Sequence, residues 1–140
     1  MKKLISILIP CYNEALSLPI LIPKLEDIAN NLKQYDWEIL CVNDGSKDNT
    51  LEVLRELRQI YNRVNYIDLS RNYGKENAML AGFDYVKGDC MVIMDADLQL
   101  PPHVIIQMLE KWEEGYDDVY ASRLTRGKES WLRKKSSLLY

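Results

Sequence analysis

The segment Leu-Ile-Ser-Ile-Leu-Ile-Pro, residues 4–10, is almost continuously apolar. Such a run is typical of a parallel β-strand that is covered on both faces of its sheet. Two lysines precede it, as in a signal peptide, but polar residues from Asn13 onward end the apolar run and no small-residue cleavage site follows. The segment therefore predicts the first strand of a sheet.

Short apolar runs and segments of helical period alternate along the rest of the chain. Further strands are predicted at residues 37–42, 64–69 (edge-like), 90–94 (strongly buried) and 118–122. Apolar residues at i, i+3, i+4 and i+7 spacing predict helices at residues 18–32, 51–61 and 75–86, and one that starts near Pro101 with its apolar stripe at 104–112. Repeated βα units with short connections predict an α/β fold: a three-layer α/β/α domain with a doubly wound, mostly parallel sheet.

Composition and charge narrow the function classes. The chain has 140 residues, 47% of them apolar, and a net charge of −3 from 18 basic and 21 acidic residues. This composition excludes a disordered tail, and the charge balance argues against a broad nucleic-acid surface. No stretch approaches the roughly 20 apolar residues that span a bilayer. Three widely spaced cysteines in apolar runs predict buried, reduced thiols and a cytoplasmic setting.

Several common active sites are excluded by their missing residues. No GxG dinucleotide fingerprint and no GxxxxGK phosphate loop occurs. His103 is the single histidine, and it follows two prolines at a predicted helix start, which makes it a poor member of a catalytic triad. Zinc sites built on histidine or paired cysteines are equally unsupported.

Three polar segments follow predicted strands, where a doubly wound sheet binds its ligands. They are residues 10–14 (PCYNE), 43–46 (NDGS) and 95–99 (DADLQ). After an extended strand, Asp95 and Asp97 project to the same side, and two such carboxylates repel each other unless a cation lies between them. Oxygen ligands suit Mg²⁺ or Mn²⁺, which would bind a diphosphate, and the small Ala96 would let that ligand approach. The alternative is that both aspartates cap the helix near Pro101.

These ordered segments resemble the successive motifs of family 2 glycosyltransferases with the GT-A, nucleotide-diphospho-sugar transferase-like fold. The segment Arg-Asn-Tyr-Gly-Lys at 71–75, with Ala78 and Gly82 after it, is similar to the polyprenyl-phosphate glycosyltransferases, such as dolichol-phosphate mannose synthases and bactoprenol glucosyltransferases. The resemblance covers essentially the whole chain. Because relatives continue further, it implies the donor-binding front portion of a longer protein, truncated at the C-terminal end and of doubtful activity alone.

The resemblance implies a role for each matching residue. The base and ribose of a nucleotide-sugar (UDP- or GDP-linked) would contact Pro10, Tyr12, Glu14, Val42 and Asp44. The ribose, metal and diphosphate would contact Asp95, Ala96 and Asp97, with Gln99 as a third metal-side residue, Lys75 as a further substrate-binding candidate and Arg123 near the phosphates. The candidate catalytic residues are thus Asp97 and Arg123. Asn43 stands where many relatives have a second aspartate.

Plainer interpretations remain for several of these residues. Tyr12 could pack under a loop, Glu14 could be a solvated residue near the first helix, and Asp44 could serve a turn. Lys75 could be a solvated side chain and Arg123 part of a surface ion pair. Because Asp44 lies in a loop, we expect its replacement to leave the folded state largely intact.

The end of the chain is basic. Residues 123–135 carry six basic residues and one acidic residue, with Trp131 and Leu132 among them. We interpret residues 1–122 as the nucleotide-sugar-binding core and 123–140 as a basic amphipathic tail. The tail is either a solvated basic face or a segment that binds anionic lipid at the membrane surface.

The resulting hypothesis is a metal-dependent, inverting glycosyltransferase that works at the cytoplasmic face of a membrane and passes a sugar to a polyprenyl phosphate. A glycan or protein acceptor is the alternative within the same class. A non-catalytic nucleotide-binding module is a second alternative. A phosphotransferase with an aspartate nucleophile is a third, but that group expects Thr or Val where Gln99 stands. The sequence leaves the oligomeric state open.

Overall fold

The computed structural model describes residues 2–116 and, for the backbone alone, the strands at 118–125 and 128–134. The chain divides into two units, Met1–Leu100 and Pro101–Tyr140. The elements of the first unit are β1 (Lys3–Cys11), α1 (Leu18–Asn31), β2 (Tyr35–Asn43), α2 (Thr50–Ile60), β3 (Val64–Asp68), α3 (Lys75–Phe83) and β4 (Cys90–Ile93). Those of the second are α4 (Val104–Glu113), β5 (Asp118–Thr125) and β6 (Lys128–Lys134).

The sheet of the first unit is parallel throughout and has the order β3-β2-β1-β4. The chain moves outward from β1 to β3 and then crosses back to β4. Right-handed crossovers place α1 and α2 on one face of such a sheet and α3 on the other. The predicted three-layer, doubly wound architecture is therefore confirmed. The strand order reverses between β1 and β4, which is the position where such sheets bind ligands.

The core lies on both faces of β1. Ile5, Ile7 and Ile9 are fully buried on one face. On the other face, Leu8 belongs to a buried cluster with Leu40, Val42 and Ala78. Helix α3 approaches the sheet closely there, because a Cβ on Gly82 would lie 2.3 Å from a methyl carbon of Leu8. The apolar stripe predicted for the first helix is also buried along α1.

Helix α4 of the second unit contacts β5, and β5 pairs with β6 in an antiparallel ribbon. The strand predicted at residues 118–122 is therefore present, but within the described backbone it pairs with β6 and not with the parallel sheet. The predicted basic tail overlaps this ribbon from residue 123. Its side chains, and residues 135–140 altogether, lie outside the described residues.

Several details differ from the sequence-based expectations. The strand at Cys90–Ile93 is not strongly buried, because β4 is an edge of the four-stranded sheet and leaves Met91 38% exposed. Helix α3 ends at Phe83, where the next turn begins, and α4 begins only at Val104, after both prolines. Cys90 is half-buried, whereas Cys11 and Cys41 are buried as predicted.

Within the described part of the chain, no helix is both long enough and apolar enough to cross a bilayer.

Candidate functional site

A cavity of about 470 Å³ lies where the three predicted polar segments meet. Its lining comes from the loops after β1, β2 and β4 and from the start of α3: Pro10, Cys11, Tyr12, Glu14, Asp44, Asn72, Gly74, Lys75, Asp95, Ala96 and Asp97. The sheet therefore brings eight of the predicted site residues to one place, because the carboxyl ends of parallel strands share an edge.

Three predicted site residues are not among the lining residues. Val42 is fully buried in the core cluster on the α3 face, so its side chain does not contact a ligand in the cavity. Gln99 is exposed and lies outside the lining, although it follows Asp97 closely. The backbone of Arg123 lies in β5, and its side chain is outside the described residues.

Asn13 holds the loop after β1 in place. Its φ of 55° lies in the left-handed region, which asparagine tolerates better than most residues. Its backbone N–H donates to Ser46 Oγ at 2.9 Å, and its Oδ1 accepts the backbone N–H of Lys47 at 2.8 Å. These bonds join the loops after β1 and β2 and so fix Tyr12, which is 40% exposed at the cavity. The sequence reasoning missed this role of Asn13.

Glu14 both lines the cavity and organises the start of α1. Its carboxylate accepts a hydrogen bond from Ser17 Oγ at 2.5 Å, and its backbone N–H donates to Thr50 Oγ1 at 3.0 Å. The two interpretations offered for Glu14, a ligand contact and a residue of the helix start, are therefore compatible.

Asp44 is only 3% exposed, and its carboxylate is already occupied by the loop before α3. Oδ1 accepts the backbone N–H of Tyr73 at 2.7 Å, and Oδ2 accepts that of Gly74 at 3.0 Å. The side-chain amide of Asn72 donates to Oδ2 at 3.3 Å and to the Asp44 carbonyl at 3.1 Å. The expectation that Asp44 matters little for the folded state rested on its place in a loop, whereas the residue is buried and hydrogen-bonded to the loop before α3.

The same loop also lies directly against Gly45. This glycine has a φ of 64°, and a Cβ built on it would be 2.2 Å from Arg71 C and Asn72 N. Only glycine meets both conditions, a left-handed backbone and contact with neighbouring main chain. Asp44 and Gly45 thus fix the loop at residues 71–74, which we call the anchor loop. Its residues Asn72 and Gly74 line the cavity, although sequence reasoning gave them no role.

Asn43, the last residue of β2, is suited to its position as an amide. It is 3% exposed, and its Nδ2 donates to Asp68 Oδ1 at 3.0 Å. Its Oδ1 accepts a hydrogen bond from Ser46 Oγ at 2.5 Å. An ionised aspartate has no donor for Asp68, so the amide is the better partner.

The acidic pair stands at the other end of the cavity. Asp95 and Asp97 are exposed on either side of Ala96, which is 2% exposed. Asp97 Oδ1 accepts the backbone N–H of Gln99 at 3.2 Å. Asp95 Oδ1 lies 2.5 Å from the ammonium of Lys75, which crosses from the start of α3. Helix α4 receives no side-chain cap, so the alternative of helix capping by these aspartates finds no support.

The donor set of this pair fits a divalent cation shared with a phosphate ligand. No group of three or more His, Cys, Asp or Glu side chains forms a complete cage among residues 2–116. Mg²⁺ typically binds through one or two carboxylates and takes its remaining ligands from substrate phosphates and water. Asp95 and Asp97, two exposed carboxylates beside an open cavity, match the protein ligands of such a site.

Cys11 is the single cysteine of the described lining, and its thiol is buried. A hydrogen bond with Cys41, burial, and the nearby Cys41 and Glu14 groups raise the pKa of the Cys11 thiol well above its ordinary value. Nucleophilic catalysis requires the thiolate. The cavity is therefore suited to binding and electrostatic chemistry and not to covalent catalysis by cysteine.

Comparisons with known proteins agree with this geometry. The sequence model of the family described as Glycosyl transferase family 2 matches residues 6–139. The chain is 44% identical over 135 residues to the uncharacterized glycosyltransferase YkcC of Bacillus subtilis, covering 96% of this chain and 42% of that protein. It is also 44% identical to the uncharacterized glycosyltransferase sll0501 of Synechocystis sp., covering 97% of this chain and 42% of that protein. The chain thus spans less than half the length of these relatives.

Solved structures share the fold at lower identity. S. aureus TarS 1-349 superposes with a TM-score of 0.66 at 21% identity, over 85% of this chain and 34% of that one. The mannosyltransferase PcManGT from Pyrobaculum calidifontis, solved in complex with GDP-Man and Mn²⁺, has a TM-score of 0.62 at 22% identity, over 79% of this chain and 32% of that one.

Proposed function

Because the chain belongs to glycosyl transferase family 2, we propose that its cavity binds the nucleoside-diphosphate sugar of a glycosyl transfer reaction. The observation that carries the proposal is the meeting of two kinds of site in one cavity. One side is formed around the buried, hydrogen-bonded Asp44 and the partly exposed Tyr12, and an exposed acidic side is formed by Asp95 and Asp97. The volume of about 470 Å³ lies within the range of small-molecule sites.

The side of the cavity around Asp44 and Tyr12 would receive the base and ribose. Tyr12 offers an aromatic face beside Pro10, and Glu14 offers a carboxylate for sugar hydroxyls. Asp44 Oδ2 already accepts two hydrogen bonds from the anchor loop, whereas Oδ1 accepts one and can still accept a ring N–H. The solved relatives TarS and PcManGT were obtained with UDP and GDP-Man respectively, which supports a uracil or guanine nucleotide.

The acidic side would hold Mg²⁺ or Mn²⁺ together with the diphosphate, through Asp95 and Asp97 and with Gln99 as a third residue. Such an ion, when bound, stabilises the negative charge of the leaving nucleoside diphosphate. In this arrangement Ala96 is small enough to let the ribose and phosphates lie against the backbone. Arg123, which follows the site residues in sequence, would add positive charge near the phosphates.

The proposed acceptor is a polyprenyl phosphate at the cytoplasmic face of a membrane. The similarity of residues 71–75 to polyprenyl-phosphate glycosyltransferases and the six basic residues of 123–135 support it. An acceptor phosphate is already anionic, so its attack on the sugar from the face opposite the diphosphate, with inversion, requires no strong general base. A glycan or protein acceptor is the competing proposal.

Nucleotide binding can be tested directly by calorimetry with UDP and GDP, with Mn²⁺ and with chelator. We expect metal-dependent affinity for one of the two nucleotides, reduced at least tenfold in Asp97→Ala, since a charged contact contributes about 1.5–3 kcal/mol. Asp27→Ala, an exposed carboxylate on α1, is the matched control. Equal affinity of Asp97→Ala and the wild type in Mn²⁺ would refute the assigned site.

A further inference from the structure

We propose that Lys75 is an exchangeable counter-ion of the acidic pair. In the free site it neutralises Asp95, and when a divalent cation and a diphosphate bind, it leaves Asp95 and pairs with the diphosphate. The inference rests on the proposed function, because it assumes that the cavity takes a diphosphate. It begins from the 2.5 Å contact between Lys75 Nζ and Asp95 Oδ1.

The ion pair between Lys75 and Asp95 matters because the cavity is lined mainly by negative charges. Among the described lining residues, Lys75 is the single cation beside four carboxylates, those of Glu14, Asp44, Asp95 and Asp97. Glu14 and Asp44 are already engaged by hydroxyl and backbone donors. The ammonium therefore neutralises one member of the acidic pair, Asp95, which is a carboxylate that a divalent cation would also use.

The backbone of Lys75 is fixed while its side chain is free to move. Lys75 is the first residue of α3 and follows Gly74, whose N–H is bound by the Asp44 carboxylate. The side chain itself is 59% exposed, and that of Asp95 is 51% exposed. A lysine carries its charge on a flexible four-carbon stem. The ammonium can thus turn from Asp95 to a neighbouring ligand without movement of the anchor loop.

Electrostatics makes the two partners of Asp95 mutually exclusive. A divalent cation and an ammonium in contact with the same carboxylate repel each other, so the stronger ion displaces the weaker. Once displaced, the ammonium lies beside the incoming diphosphate, whose oxygens accept charge-assisted hydrogen bonds. Lys75 therefore weakens the binding of a bare cation and strengthens the binding of the nucleoside diphosphate.

Removal of Lys75 should therefore change the affinities for the bare cation and for the nucleotide in opposite directions, which removal of a purely structural ion pair would not do. An exposed pair of this kind contributes up to about 1 kcal/mol, which corresponds to a factor of about five in affinity. We expect Lys75→Met to bind Mn²⁺ alone about two- to fivefold more tightly than the wild type, and UDP or GDP in saturating Mn²⁺ about five- to tenfold more weakly.

The experiment measures free Mn²⁺ by electron paramagnetic resonance during titration of the 140-residue protein, and nucleotide affinity by calorimetry in saturating Mn²⁺. Lys75→Arg keeps the charge and should stay close to the wild type in the nucleotide titration. Lys111→Met removes a different lysine–carboxylate pair, with Glu114 at 3.4 Å, and should change neither affinity.

The outcomes distinguish the two proposals. Tighter Mn²⁺ binding together with weaker nucleotide binding in Lys75→Met supports the exchangeable counter-ion. Unchanged affinities, or two changes in the same direction, overturn it while leaving nucleotide binding by the wild type intact. A wild-type protein that binds neither UDP nor GDP in Mn²⁺ refutes the proposed function, and the role of Lys75 with it.

Discussion

Replacement of Asp44 should lower both the stability of the fold and the affinity for nucleotide. In Asp44→Ala, the backbone N–H groups of Tyr73 and Gly74 and the side-chain amide of Asn72 lose their acceptor. A donor left unsatisfied costs about 1–3 kcal/mol when water cannot reach it. Because the anchor loop is partly exposed and water can replace part of these bonds, we expect a total loss of about 2–4 kcal/mol in the free energy of unfolding.

Asp44→Asn provides the finer comparison. It preserves size and one acceptor oxygen, but its amide NH₂ must face one of the two backbone N–H groups. We therefore expect a smaller loss of about 1–2 kcal/mol. Nucleotide affinity per folded molecule should fall in both variants, by about 1.5–3 kcal/mol in Asp44→Ala if the base N–H binds this carboxylate.

Urea unfolding at pH 7 measures the stability change as a shift in midpoint at constant slope, and calorimetry under conditions where each variant is folded measures the affinity. Asp27→Ala is again the control and should shift the unfolding free energy by less than about 0.5 kcal/mol. An Asp44→Ala protein with the wild-type midpoint would show that the anchor loop does not depend on this carboxylate. Wild-type affinity in that variant would show that the base binds elsewhere.

Three further predictions concern the surroundings of the site. Gly45→Ala should lower the melting temperature in a thermal scan, by the equivalent of about 1–3 kcal/mol, because the new Cβ would collide with the anchor loop. An unchanged melting temperature would refute this packing. Burial raises the pKa of Asp48, but the hydrogen bonds from Thr50 and from the backbone of Ala15 together outweigh it and lower the pKa below its ordinary value. Because the pKa of Asp48 is lower in the folded state than in the unfolded state, its ionised carboxylate stabilises the fold at pH values above the unfolded-state pKa. Asp48→Ala should therefore destabilise the protein by about 1 kcal/mol at pH 7, and this loss should shrink as the pH falls below about 4. A destabilisation that does not change with pH in thermal scans would contradict this. Sedimentation with anionic vesicles should decrease with salt and on neutralising residues 133–135, whereas absence of binding at low salt would remove this support for a lipid acceptor.

The sequence predicts the strands that carry the site and the polar loops after them, because both depend on local patterns. The continuous apolar run at residues 4–10 and the polar residues that follow it are enough to place a buried strand and its loop. The acidic pair after Ile93 is predicted on the same grounds. The exposure of β4 is missed, since an apolar run has the same composition in the middle of a sheet and at its edge.

The internal bonds of the site are not predictable from such patterns. Asp44 is bound by backbone N–H groups about thirty residues later in the chain, and a backbone donor leaves no mark on the sequence. The contact of Lys75 with Asp95 depends on the crossover that brings β4 beside β1. In the sequence, Asn43 is only a departure from the family pattern. Its bond with Asp68 in the structure shows why an amide suits that position.

The two ends of the cavity are stabilised in different ways, and this difference matches the proposed ligand. Around Asp44, hydrogen bonds between loops fix the geometry before a ligand arrives, which suits recognition of a neutral base by shape and hydrogen bonding. Around Asp95, exposed charges are joined by one ion pair in contact with solvent, which suits a charged group that must bind and leave. We therefore expect substitutions on the first side to change stability and affinity together. Substitutions on the second side should change affinity and metal dependence while the unfolding free energy stays close to that of the wild type.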